Sequence, residues 1–200
     1  MIIDFELNVN TYEKFFSKNY ALTEYSCPKC SSKHLVKHAN YQRNLAILKD
    51  NSLSDEKIKI RRVFCNSCKS THAILPNDVV PYCIHSFSVI LHILCKYYVS
   101  GNSVLWIANK FNISFQLIYS LVARFLNFFN ECIQCLKILE ILLSENITKP
   151  VVVKTIYDYI NIGNSFLKQY LFNFKWYFMM TKFHNMLSPP VYVGMTNRVT

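Results

Sequence analysis

The fold of this chain is decided by the stretch from Cys27 to Cys68, CPKCSSKHLVKHANYQRNLAILKDNSLSDEKIKIRRVFCNSC. It begins with CPKC at residues 27–30 and ends with CNSC at residues 65–68, and 34 residues separate the two pairs. Two thiolates at this spacing on a tight turn point at one ion, and two such turns complete a closed tetrahedral shell. The pattern predicts a zinc ribbon with one structural Zn²⁺. The predicted ligands are Cys27, Cys30, Cys65 and Cys68.

Three stretches around the cysteines predict short β-strands. Residues 34–38 follow the first pair, and residues 57–61 alternate charged and apolar side chains with the period of a half-buried strand. Residues 71–75 follow the second pair until Pro76 stops them. We therefore expect a small antiparallel sheet within a zinc ribbon at 27–76, preceded by an N-terminal strand or helix segment at 1–26. Four thiols without metal in a reducing compartment are the alternative.

The charge of the chain is concentrated around this ribbon. The net charge is +10, and residues 27–72 hold ten Lys or Arg against three acidic residues. A basic patch of this kind predicts a polyanionic partner, although a solvated basic face without a partner has the same composition. The predicted DNA contacts of the ribbon are Lys57, Lys59, Arg61 and Arg62.

Residues 103–121, SVLWIANKFNISFQLIYSL, predict a helix-turn-helix within a second domain at 84–128. Apolar side chains recur at helical spacing in the first helix, Asn112 suits a left-handed turn, and Ser114 is a candidate N-cap. Ile118 and Leu121 then face the first helix. A supporting helix precedes the motif and ends at residues 100–101. Its apolar residues are Phe87, Ile90, Leu91, Leu94 and Tyr98.

The start of the second helix is where a DNA-binding helix-turn-helix contacts base edges. Gln116 has the side chain that reads adenine, whereas Lys110 and Arg124 are expected to contact phosphates. A three-helix packing unit without nucleic acid shows the same periodicity and remains the alternative. The predicted contacts in this motif are Lys110, Ser114, Gln116, Tyr119, Ser120 and Arg124.

The segments CPKC, KIRRVFCNSC and THAILP resemble transposase-type zinc ribbons joined to a DNA-binding helical unit. More specifically, MIIDFELNVN, the two cysteine pairs, and VPYCIHSFSVILHIL before IANKFNIS resemble a small bacterial family of unknown function whose members are often labelled transposase-like. The resemblance covers about residues 1–128. It implies zinc at the four cysteines and DNA contact from the second helix, without an established activity. Such knuckles usually place Gly where this chain has Ser31 and Lys69.

The remaining segment, 129–200, predicts a helical extension and tail. Apolar residues from Ile118 to Leu142 repeat at steps of three and four, which predicts one continuous helix over 115–143 and a homodimer through its seam. Cys132 and Cys135 fit this seam better than a second zinc site. Residues 166–187 form a further amphipathic segment, with Lys168, Lys175 and Lys182 seven apart, for packing on the domain, a partner or an acidic membrane surface.

The sequence predicts no enzyme activity and no small-molecule substrate. A transposase needs carboxylates that hold two divalent metals, and the candidates after the helix-turn-helix lie on an apolar seam or far apart. These candidates are Glu131, Glu140, Glu145 and Asp158. The histidines near the ribbon, His34, His38 and His72, are interpreted as polar surface residues.

Taken together, these patterns predict an α+β protein with a small β zinc ribbon followed by mostly α-helical segments. We expect a zinc-stabilised protein that binds double-stranded DNA, either a transposase-like recognition module or a transcriptional regulator without a nuclease domain. The alternatives are a zinc-ribbon protein-interaction module for an acidic partner and a truncated transposase. The acidic N-terminus is unlike a signal peptide and residues 79–95 are too short to span a membrane, so a cytoplasmic location is expected.

Overall fold

The structure is a computed structural model that describes residues 1–17, 21–50, 52–142, 146–174, 178–179 and 191–193. The fold is mixed α+β, as predicted. The chain divides into two compact units, the first formed by residues 1–45, 56–79 and 181–200 and the second by residues 46–55 and 80–180. The first unit contains most of the sheet and the second contains all but one of the described helices.

The sheet has five strands. They are β1 (Ile2–Asp4), β2 (Leu35–Lys49), β3 (Ser52–Cys65), β4 (Thr71–Pro76) and β5 (Val191–Val193). Their order is β2-β3-β4-β1-β5, with β3 antiparallel to β4 and β1 parallel to both β4 and β5. The three strands predicted around the cysteines are therefore confirmed, but the sheet is mixed rather than antiparallel and extends beyond residues 27–76. The N-terminal segment supplies β1 to the same sheet, between β4 and β5.

The phenol of Tyr12 connects helix α1 (Val9–Ser17) to this sheet. The hydroxyl of Tyr12 donates a hydrogen bond to the carbonyl of Ile74 at 2.7 Å and accepts one from the backbone N–H of Arg61 at 2.9 Å. In β3 the alternation predicted from the sequence is observed, since Ile58 and Ile60 are buried whereas the lysines beside them are exposed. Burial of one face fixes the register of the strand.

The second unit contains six α-helices among its described residues. They are α2 (Phe87–Leu94), α3 (Val104–Phe111), α4 (Phe115–Asn127), α5 (Phe129–Ile138), α6 (Lys149–Asn161) and α7 (Phe166–Phe174), and one π-helical turn (Cys95–Val99) follows α2. The hydroxyls of Ser86, Ser103 and Ser114 cap α2, α3 and α4, each accepting a hydrogen bond from the backbone N–H three residues later. Asn112 ends α3 in the left-handed conformation, φ 51° and ψ 50°. The predicted turn residue and cap are thus observed.

The predicted continuous helix over 115–143 is wrong. Phe128 departs from helical geometry with φ −112° and ψ 8°, so that α4 ends and α5 begins on either side of it. Its ring packs among aromatic residues, with ring centroids 6.5 Å from Tyr170 and 6.0 Å from Phe178. Burying a large aromatic side chain contributes more than the hydrogen bonds lost at one helical break.

The apolar seam is used inside this chain. Phe125, Phe128, Cys132 and Cys135 are all buried in one core with residues of α2, α3, α6 and α7. The predicted homodimer stays a prediction, and it would need a surface other than these four side chains. The segments predicted as 84–128 and 129–200 therefore share a hydrophobic core.

Helix α7 begins the predicted amphipathic segment at 166–187. Phe166, Tyr170 and Leu171 are buried, which supports packing on the domain. Lys168 is half-buried, and Lys175 and Lys182 lie outside the described residues. In the part of the chain that the structure describes, every helix is too short or too polar to cross a membrane.

The left-handed turn at Asn112 gives a test of the fold. We expect Asn112→Ala to lower the free energy of unfolding by about 1–2 kcal/mol, because a Cβ without a locally bonding side chain disfavours φ near +50°. Asn112→Gly should leave stability unchanged or raise it. Urea unfolding followed by circular dichroism measures both. Asn109→Ala, in the exposed middle of α3, is the control, and equal losses in both alanine variants would contradict the turn.

Candidate functional site

The two CxxC pairs fold into turns of matching geometry. In each, the N–H of the first cysteine donates to the carbonyl five residues later, and the N–H four residues later donates back to the carbonyl of that cysteine, at 2.8–2.9 Å. Ser31 and Lys69 both adopt φ 57°. The left-handed position that usually holds Gly is therefore kept here by two residues with side chains, at a cost of about 1 kcal/mol each.

The turns bring four sulfur atoms together. Cys27 Sγ lies 3.4 Å from Cys68 Sγ, Cys30 Sγ lies 3.6 Å from Cys65 Sγ, and all four lie within 4.8 Å of one another. Zn–S bonds of about 2.3 Å in a tetrahedron place sulfurs about 3.8 Å apart. The donor set thus fits a single structural metal ion. With four protein ligands such a shell leaves no open position for a substrate.

The pKa values of two of these thiols are shifted in opposite directions within the cluster. Hydrogen bonding from the Ser70 side chain lowers the pKa of Cys68 to about 6. The backbone N–H of Ser32 lowers the pKa of Cys30. Desolvation and the neighbouring thiols outweigh this effect and raise that pKa to about 12. Four sulfurs this close cannot all carry negative charge unless a cation compensates them. A metal ion held by the four sulfurs would supply that compensation.

His72 is not the surface residue that the sequence analysis predicted. Its side chain is buried, and Nε2 lies 3.2 Å from Cys27 Sγ. Burial, the nearby N-terminal ammonium group and Lys29 lower the pKa of His72 to about 4, so the ring is neutral near pH 7. If Cys27 is a thiolate, His72 Nε2 would carry the ring proton and donate a hydrogen bond to the sulfur, as outer-shell partners of metal ligands do. His34 and His38 are exposed, as predicted.

The two-residue periodicity of a β-strand could have identified His72 as a buried residue. It lies two residues before Ile74 in β4, and Ile74 is buried on one face of the sheet. Residues two apart on a strand share a face, so His72 follows Ile74 into the interior. Opposite it on β3 lies Val63, which is also buried.

Two further contacts hold the cysteine turns in place. The Ser32 and Ser67 hydroxyl oxygens lie 2.8 Å apart, so one turn bonds directly to the other. Tyr25, two residues before the first cysteine, donates its buried hydroxyl to Asp4 of β1 at 2.6 Å. Burial raises the pKa of Asp4, against the hydrogen bond from Tyr25 that lowers it. No signal in the sequence identifies this long-range pair.

The predicted basic contacts of β3 divide into two kinds. Lys57 and Lys59 are exposed. Arg61 is half-buried, its Nη2 donates to the carbonyl of Phe16 at 3.5 Å, and its Nε is buried without a partner among the described residues. Arg62 donates to the hydroxyl of Thr71. The two lysines therefore present their charge to solvent more fully than the two arginines.

The predicted contacts of α3 and α4 lie mostly on the surface. Lys110, Gln116, Tyr119 and Ser120 are exposed, and Arg124 is half-buried. Ser114 is exposed, but its hydroxyl already accepts the capping hydrogen bond at 3.2 Å. Apolar side chains are also exposed on these helices, among them Leu105 (59%), Trp106 (42%) and Phe115 (45%).

The described acidic residues that were candidates for holding catalytic metals do not form a cluster. Asp158 forms an exposed ion pair with Lys154 at 2.7 Å, Glu131 is half-buried, and Glu140 is exposed. Glu145 lies outside the described residues. Among the described residues, the group of Cys, His, Asp and Glu side chains close enough to hold one ion is the four-cysteine cluster. Cys132 and Cys135 belong to the helical core.

Comparisons with known proteins match one part of the chain. Residues 27–104 match a protein family described as Domain of unknown function (DUF6431). The matched region contains the four cysteines, β2 to β4 and α2, and it ends at the first residue of α3. Curated proteins and solved structures gave no match. The likeness thus covers the cysteine cluster and does not reach α4.

The cysteine geometry predicts one tightly bound metal ion per chain, lost on Cys65→Ser because three thiolates leave the shell open. Elemental analysis of the purified protein measures the stoichiometry. Cys135→Ser is the matched control, since it removes a thiol that lies in the helical core. Unchanged metal content in Cys65→Ser, or equal loss in Cys135→Ser, would contradict the assignment.

Proposed function

We propose that this chain is a zinc-stabilised protein that binds double-stranded DNA and does not cut or join it. It would serve as a transposase-like recognition module or as a transcriptional regulator. The observation that carries the proposal is the four-sulfur cluster beside a sheet whose strand β3 exposes Lys57 and Lys59. A closed shell stabilises a fold, and a basic surface on that fold suits a polyanion.

Zinc is the proposed ion because a tetrahedral four-thiolate set is the chemistry that Zn²⁺ prefers in structural sites. Bound Zn²⁺ compensates the thiolates and joins the two turns. The residues of this chain would do the rest. Cys27, Cys30, Cys65 and Cys68 hold the ion, and the buried imidazole of His72 donates to Cys27 and orients it. On this proposal the first unit is a zinc ribbon.

The second unit supports DNA binding by its own features. Residues 79–130 contain three Lys or Arg and no Asp or Glu. Helix α4 follows a left-handed turn and exposes Gln116 in its first turn and Ser120 in its second, as a recognition helix in a helix-turn-helix does. On this proposal Gln116 reads a base edge, while Lys110 and Arg124 contact phosphates.

A protein-interaction module is the second candidate function. Leu105, Trp106 and Phe115 are exposed apolar side chains of α3 and α4, and such side chains are enriched at protein interfaces. Selection of binding sites from a random oligonucleotide pool separates the two functions. A DNA reader recovers a shared sequence, whereas an interaction module recovers none.

The exposed lysines of β3 give a test of phosphate contact. We expect Lys57→Ala/Lys59→Ala to weaken binding to duplex DNA of any sequence and to flatten the dependence of log K on log salt by at most about two units, because each lost phosphate contact removes about 0.9. Fluorescence anisotropy across a salt series measures both. Lys137→Ala/Lys149→Ala removes equal charge from exposed sites on α5 and α6. Equal slopes in the two double variants would exclude a specific role for β3.

Gln116 should behave differently from the lysines. If it reads a base edge, Gln116→Ala costs about 1–3 kcal/mol on the selected site and little on random DNA. The control is Gln134→Ala, an exposed glutamine of α5. Equal weakening on both DNAs would assign Gln116 to backbone contact. No binding of the wild type to any duplex at low salt would leave the interaction module as the function.

A further inference from the structure

Strand β2 is exposed in an unusual way. It is one edge of the sheet, with β3 as its neighbour. Its residues 36–42 are exposed one after another, whereas a strand packed on a core alternates between buried and exposed residues. Both faces of this part of the strand therefore meet solvent. The sequence analysis named no individual DNA contact within it.

The chemistry of this stretch is basic and polar. Residues 26–49 contain five Lys or Arg and no acidic residue, and Lys37 is the one that lies within 36–42. An extended strand places His38, Asn40 and Gln42 on one face, two residues apart. Asn and Gln side chains present a donor and an acceptor side by side, the arrangement that pairs with the N6 and N7 atoms of adenine.

The same face continues onto β3. The ring of His38 lies 5.9 Å from the ring of Phe64, which places the row beside Phe64. Arg62 and Phe64 lie opposite Ala73 and Thr71 in β4 and share a face with each other. Arg62 thus shares a face with the row, but it is half-buried and bonds to Thr71. Ile60 and Ile58 on the same face are buried, so the exposed face is that of β2. β4 pairs with residues 61–64 of β3 on one side, and β2 lies on the other side of β3.

The spacing of the row suits a DNA groove. Alternate residues of a strand are about 6.7 Å apart, and base pairs are stacked about 3.4 Å apart, so each successive side chain meets every second base pair. The major groove is wide enough for two antiparallel strands.

We propose that the β2 face carrying His38, Asn40 and Gln42 reads the edges of base pairs in duplex DNA. The proposal rests on the proposed function and adds a second reading surface in the first unit, apart from Gln116 of α4. A second copy of this chain, added strand to strand at β2, is the competing occupant. Such pairing would bring two copies of the same basic segment together, and like charges facing each other across strands disfavour it.

The experiment compares two double variants of the full chain that change shape little and lower the net charge equally. Asn40→Asp/Gln42→Glu places two carboxylates on the β2 face, and Asn130→Asp/Gln134→Glu places them on exposed sites of α5. Anisotropy with labelled random duplex DNA at low salt gives the affinities. We expect the β2 variant to bind about tenfold more weakly, because its carboxylates face phosphates and base acceptors, and the α5 variant to stay within about threefold of wild type.

Circular dichroism and metal content identify any variant that fails to fold. In that case Asn40→Ala/Gln42→Ala, which adds no charge, is the second test, measured on the DNA sequence recovered from the oligonucleotide pool. Wild-type binding with equal affinities for both charged variants would overturn the β2 assignment and leave the proposed function standing. Absence of wild-type binding would overturn both. Stronger competition by RNA than by DNA, or a wild-type dimer that the β2 variant dissociates without DNA, would also overturn it.

Discussion

The first unit depends on how the electrostatic repulsion among four sulfur atoms is compensated, because its own turns hold these atoms close together. Two matching turns hold the sulfurs of Cys27 and Cys68 at 3.4 Å, a separation at which four thiolates need a shared cation. The turns retain left-handed residues at Ser31 and Lys69 although both carry side chains. Structural metal sites contribute folding free energy directly, and this contribution offsets such local strain. The strands between the turns are the part of the chain that the cluster organises.

The surroundings of the cluster make it a structural centre. His72 lies against Cys27 from within the sheet, and Tyr25 connects the approach to the first turn with Asp4 of β1. These groups are buried, so their hydrogen bonds resist competition from water. A metal ion bound by all four thiolates would have no open coordination position, and the centre would then hold the strands together.

On the surface of these strands, burial separates the DNA contacts that the sequence predicts into accessible and occupied side chains. Arg61 and Arg62 have the right charge, but their guanidinium groups bond to Phe16 and Thr71. The side chains of β2, which have no strong motif, are exposed over seven successive residues. In the second unit a comparable change occurs, because the seam proposed for a dimer is buried in the chain's own core. Charge and periodicity thus identify candidate surfaces, and burial decides which of them remain accessible.

The sequence by itself determined the features that depend on neighbouring residues. The spacing of the cysteine pairs, the alternation in β3, the caps and the turn at Asn112 are local, and each was predictable from residue type. Tertiary structure alone decided the rest. Only folding could bring His72 to Cys27 or Asp4 to Tyr25, because those pairs are 45 and 21 residues apart. The break at Phe128 was equally hidden, since the helical pattern continues through it and distant aromatic rings, Tyr170 and Phe178, provide the burial that favours ending the helix there.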